Sequence, residues 1–106
     1  MIKIKVADTF FSRFLGLMGK DNLPEGFGLL LAPCSSIHML FMKFPIDAVY
    51  IDKNFIIKKI VRNLRTWIGF SICLNAWGVV EVKAGEAERL KLKVGEKLEV
   101  KVCADF

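Results

Sequence analysis

The segment Phe27–Met42, "FGLLLAPCSSIHMLFM", contains no Asp, Glu, Lys or Arg, and a second such run extends from Thr66 to Val80. Both are shorter than the roughly 20 apolar residues that a membrane-spanning helix needs, and Pro33 and two serines break the first. Their place is therefore an interior. Ser36–Met42 is apolar on both side-chain parities, as expected of a strand covered on both faces. A chain of 106 residues supports one such interior, since two cores would each be marginal in size. With 54% hydrophobic residues and nine phenylalanines, burial can oppose chain entropy without disulfides or metal.

Period-two patterning marks both ends of the chain. Ile2, Ile4 and Val6 alternate with Lys3 and Lys5, and Leu98, Val100 and Val102 alternate with Lys97, Glu99 and Lys101. Between them, strands are expected at Phe27–Leu31, Ser36–Met42, Ile46–Ile51, Phe55–Val61 and Val79–Lys83, with "DKN" as a tight turn. Asp8 or Thr9 can cap a helix that places Phe10 or Phe11, Phe14, Leu15 and Met18 on one face and stops at Gly19. A second short helix is expected in "AGEAERLKLKVGE", with Ala84, Ala87 and Leu90 on one side. Asn63–Ala76 has no clean period and is unusually apolar for a connection. These elements predict a mostly β (α+β) single domain over residues 1–106: a small closed or partly closed antiparallel β-barrel of about six to seven strands with two short helices. Closure removes exposed edges.

Charge and cysteine usage narrow the classes further. The formal net charge of +5 permits an acidic partner without requiring one. No apolar core of a signal peptide starts at the N-terminus, and three widely spaced cysteines suit reduced thiols, so a cytoplasmic protein is expected. Without CxxC and with a single histidine, neither a metal site nor a cofactor is expected.

The segments "SRFLGLM", "GLLLAPCSSIHMLFMKFPIDAVYID" and "VVEVKAGEAERLKLKVGEKLEV" resemble the signature blocks of the domain of unknown function 192 (DUF 192) family, also called uncharacterised protein family 0127. Together they cover roughly residues 7 to 102, and the matching positions are Arg13, Gly16, Leu17, Met18, Cys34, His38, Met42, Pro45, Asp47, Gly85 and Gly95. The resemblance implies a compact β-rich fold of uncharacterised biochemistry and supplies no substrate. "RTWIGFSICLNAW" departs from the family in lacking prolines, and the export signal that some members carry is not expected here.

Candidate chemistry centres on "CSSIHMLFMKFPID". Cys34 and His38 suit a thiolate–imidazole pair, with His38 lowering the thiol pKa and taking its proton. A tight hairpin of Ser36–Met42 with Ile46–Ile51 would set His38 and Asp47 on opposite faces, which argues against a triad. Asp47, beside Val49 and Ile51, must be paired or accept several hydrogen bonds, from nearby backbone N–H groups or from Arg13. Should Arg13 reach it, Arg13, His38, Lys43 and Asp47 would form a polar cluster lined by Met18, Met39 and Met42, in the manner of a small-ligand pocket. Three function classes follow. The first is a non-catalytic binding module with that pocket, taking a small molecule or a protein partner, with Trp67, Ile68, Phe70, Ile72, Leu74 and Trp77 as an apolar patch suited to homodimer formation. The second is an enzyme using Cys34 and His38. The third is a basic nucleic-acid-binding module using Lys58, Lys59, Arg62 and Arg65.

Overall fold

A computed structural model describes residues 2–7, 25–33, 36–38, 44–65 and 70–102. Its elements, in chain order, are β1 (Ile2–Ala7), β2 (Phe27–Leu31), β3 (Ser36–His38), β4 (Ile46–Ile51), β5 (Ile57–Leu64), β6 (Phe70–Ile72), β7 (Gly78–Lys83), α1 (Glu86–Arg89) and β8 (Val100–Val102). Six strands form one mixed sheet in the order β5-β4-β7-β2-β1-β8, and β3 pairs with β6 as a separate ribbon. The β5-β4-β7-β2 block is antiparallel. β1 runs parallel to both β2 and β8. Parallel neighbours require a long crossover, and the chain from Ala7 to Phe27 supplies one.

The core lies on both faces of this sheet, which is why the central strands lack the usual apolar–polar alternation. Every residue of β4 is buried. Ile46, Ala48 and Tyr50 pack with Leu29, Leu31, Val79, Phe44 and Leu64 on one face. Val49 and Ile51 pack with Ile2, Ile4, Leu30, Val80, Val82 and Leu98 on the other. Gly28 lets β2 and β7 fit together there: a Cβ at this position would lie 2.9 Å from Val80 Cγ1 and 3.1 Å from Val82 Cγ1. Gly28→Ala is therefore expected to lower stability by about 1–3 kcal/mol through overpacking, read as a lower urea midpoint. An unchanged midpoint would show that the valines rotate away freely.

The structure corrects the expected antiparallel barrel. Among the described residues the sheet is open, with β5 and β8 at its edges. Its ends are tied only by the Ile56–Lys97 bridge and by bonds such as Leu98 N–H to Phe55 O at 2.8 Å and Gly95 N–H to Ile57 O at 2.8 Å. The reason is local. Gly95, at φ 93°, turns the chain, and Leu98 bonds to Phe55, so the last ladder shrinks to Val100–Val102. Nor does β3 form a hairpin with β4. β4 has β5 on one edge and β7 on the other, so β3 pairs with β6 instead.

Eight strands and one helix stand among the described residues, against six to seven and two expected. The difference in strands is β6, inside the stretch with no clean period. The expected helix after Thr9 lies outside the described residues, as do Met39–Met42. β5 begins at Ile57 because Phe55, at φ 63°, belongs to the preceding turn, where Asp52 Oδ1 accepts the Asn54 and Ile56 N–H groups.

Candidate functional site

Asp47 follows Pro45 at the start of β4 and is only 1% exposed. One carboxylate oxygen accepts the Asn63 N–H at 2.8 Å, and the other accepts those of Gly85 and Ala87, each at 3.0 Å. Asn63 and Gly85 both have left-handed backbones, at φ 53° and 98°, where the chain changes direction. Gly85 is the N-cap of α1 and has no side chain to satisfy the first N–H groups of the helix. Asp47 performs that capping from a distant strand. Its two oxygens are thus engaged in joining β4, β5 and α1.

A second buried carboxylate fastens the same corner. Glu86 Oε2 accepts the Gly26 N–H at 2.9 Å, and both its oxygens meet the Arg89 guanidinium. The Arg89 hydrogen bonds hold its carboxyl below the ordinary range, against the opposing effect of burial.

Glu81 differs from both. It is 7% exposed, in the middle of β7, opposite Leu29 of β2 and Ala48 of β4 and on the same face as Val79. No hydrogen bond or ion pair to its carboxyl occurs among the described residues. Burial alone pushes it from its ordinary 4.5 up to about 8. On the same face Tyr50 pairs with Val79 of β7, diagonal to Glu81, and its hydroxyl meets Ser71 Oγ of β6 at 2.7 Å. That bond sets the β3–β6 ribbon over this side of the sheet.

Of the residues singled out in the sequence, Asp47 alone has a described side chain within the proposed pocket. Arg13, Met18, Cys34, Met42 and Lys43 lie outside the described residues. His38 is placed by its backbone in β3, opposite Phe70 in register. In the apolar patch, Phe70, Ile72 and Leu74 are exposed. Trp77 is half-buried, with its ring 6.1 Å from that of Phe55, and Trp67 and Ile68 lie outside the described residues. Lys58, Lys59, Arg62 and Arg65 are exposed, with Lys58 3.9 Å from Asp52 and Lys59 Nζ donating to the Ile72 carbonyl at 2.8 Å. No group of three or more potential metal ligands occurs among the described residues, and no helix there is long and apolar enough to cross a membrane.

Sequence reasoning missed Glu81. The signal was present in "GVVEVK", where valines on both parities leave the glutamate no solvent face.

Comparison with known proteins bears on the fold and the family. The chain is 30% identical over 106 residues to a UPF0127 protein of Thermococcus sibiricus, covering 94% of this chain and 67% of the relative. It is 32% identical over 105 residues to a UPF0127 protein of Pyrococcus furiosus, covering 92% of this chain and 86% of the relative. A crystal structure of a protein of unknown function from Novosphingobium aromaticivorans superposes with a TM-score of 0.81 at 22% identity, covering 92% of this chain and 74% of that one. None of these names carries an activity; the likeness to the solved structure is one of fold. Residues 1–100 match the family described as "DUF192: Uncharacterized ACR, COG1430", and the chain belongs to that family.

Proposed function

We propose that the protein is a cytoplasmic, non-catalytic binding module whose small-molecule ligand meets the sheet face bearing Glu81 and Tyr50, beside the β3–β6 ribbon. The observation that carries this reading is Glu81: an acid set among Leu29, Ala48 and Val79 without a partner among the described residues. A carboxyl in such apolar surroundings costs free energy when ionised. Such groups concentrate at functional sites. Asp47 enters as the frame of the site rather than a ligand contact, because its oxygens already hold three backbone N–H groups. Arg13, Met18, His38, Met42 and Lys43 remain proposed contacts from the neighbouring segments.

A fragment library screened by amide chemical shifts tests the reading. Perturbations are expected to cluster at Leu29, Ala48, Tyr50, Val79 and Glu81. A cluster on Lys58–Arg65 with strong salt dependence would favour a polyanion partner instead. Selective alkylation of Cys34 accompanied by turnover would favour the enzyme reading.

A further inference from the structure

We propose that β6 and the adjoining edge strand β5 dock on an anionic phospholipid surface, with Phe70, Ile72 and Leu74 entering the interface and nearby basic residues meeting the headgroups. This surface is separate from the Glu81 reading and does not depend on it. Charge is concentrated here. No Asp or Glu occurs from Lys53 to Val80, whereas Lys53, Lys58, Lys59, Arg62 and Arg65 all fall within that stretch. These five equal the net charge of +5, because the remaining eleven Lys and Arg offset the eleven Asp and Glu of the chain. All five are exposed.

Apolar side chains stand beside them. Phe70 is 61% exposed, Ile72 42% and Leu74 82%, three of the five large hydrophobic side chains exposed among the described residues. Ser71 turns inward to the Tyr50 hydroxyl, so its neighbours Phe70 and Ile72 turn outward. Two contacts join the apolar and basic features. Lys59 Nζ donates to the Ile72 carbonyl at 2.8 Å, and Lys53 lines an open groove of about 480 Å³ together with Leu74 and Trp77. Asp52 borders that groove, but its carboxylate accepts the Asn54 and Ile56 N–H groups and pairs with Lys58. Apolar patches rimmed by polar groups mark interaction surfaces, and this combination selects among occupants. A second copy related by two-fold symmetry would set the same cations against one another. Protein anchors fill matching pockets, whereas side chains that protrude this far enter a fluid interface without one. Membrane affinity grows with buried apolar area and with each cation near anionic headgroups.

The experiment sediments the protein with vesicles of phosphatidylcholine alone, or mixed equally with phosphatidylglycerol, over a salt series. Binding is expected to the anionic vesicles only, weakening as salt screens the headgroups. Lys53→Gln/Arg65→Gln is expected to lose about fivefold per charge removed. Leu74→Ser, at a side chain exposed enough to spare folding, is expected to lose about fivefold or more. Equal binding to both vesicles overturns the proposal, as does folded Leu74→Ser that binds like wild type. Tighter, salt-sensitive binding to a DNA oligonucleotide overturns it in favour of nucleic acid. A dimer that Leu74→Ser converts to monomer overturns it in favour of a second copy. Should a variant not fold, the wild-type lipid series decides, and no preference for the anionic vesicles sinks the idea.

Discussion

Asp47→Ala is expected to destabilise the protein by on the order of 3–5 kcal/mol, the largest effect of any single substitution described above. The carboxylate is buried and serves the N–H groups of Asn63, Gly85 and Ala87 together. Each donor left buried without a partner costs about 1–3 kcal/mol, and losses within one network add incompletely. Asp47→Asn preserves the shape but turns an NH2 group toward backbone donors, so it is expected to recover only part of the loss. Urea unfolding measures the total, and amide hydrogen exchange locates it: protection at Gly85 and Ala87 is expected to fall before that of β4. A loss under about 1 kcal/mol, within the range of a single ordinary hydrogen bond, would mean that water replaces the carboxylate.

The second large effect is a pH dependence with the opposite sign to that of most carboxylates. Glu81 ionises near 4.5 in the unfolded chain and near 8 in the folded one. The folded state therefore holds its proton more tightly, and stability from this group is fully present below pH 4.5. That stability declines between 4.5 and 8 and is gone above 8. At about 1.4 kcal/mol per pH unit, the decline reaches at most on the order of 4 to 5 kcal/mol. Glu81→Gln removes the titration. The difference in unfolding free energy between variant and wild type is expected to be small at acid pH and to grow in favour of the variant toward pH 8. A difference that stays constant with pH would show that Glu81 is solvated or paired in the folded protein.

The central strands were more legible in the sequence than their partners. Phe27–Leu31 and Ile46–Ile51 coincide with the expected strands, because local composition decides strand formation where both faces are buried. Strand partners are decided by non-local contacts. The parallel placement of β1 beside β8, and the antiparallel pairing of β3 with β6, join segments whose side-chain patterns would have suited other neighbours equally well. Position-specific logic succeeded for Asp47, whose need for several hydrogen bonds follows from its apolar neighbours. The identity of the donors did not follow, because two of them lie on α1 and its cap, 38 and 40 residues away. Glu81 was overlooked because a single glutamate in a valine-rich strand resembles an ordinary solvated position until β2 and β4 flank it on both edges.

The meeting of Ile2–Ile4 with Val100–Val102 has a kinetic consequence. Unaided, that contact would close a loop of nearly the whole chain, and its few residues return little for the entropy lost. Once β2, β7, β4 and β5 have paired, the route between the two ends shortens and the same contact becomes favourable. Because non-local pairing of this kind slows folding, β1 is expected to be among the last of the described strands to gain both of its neighbours.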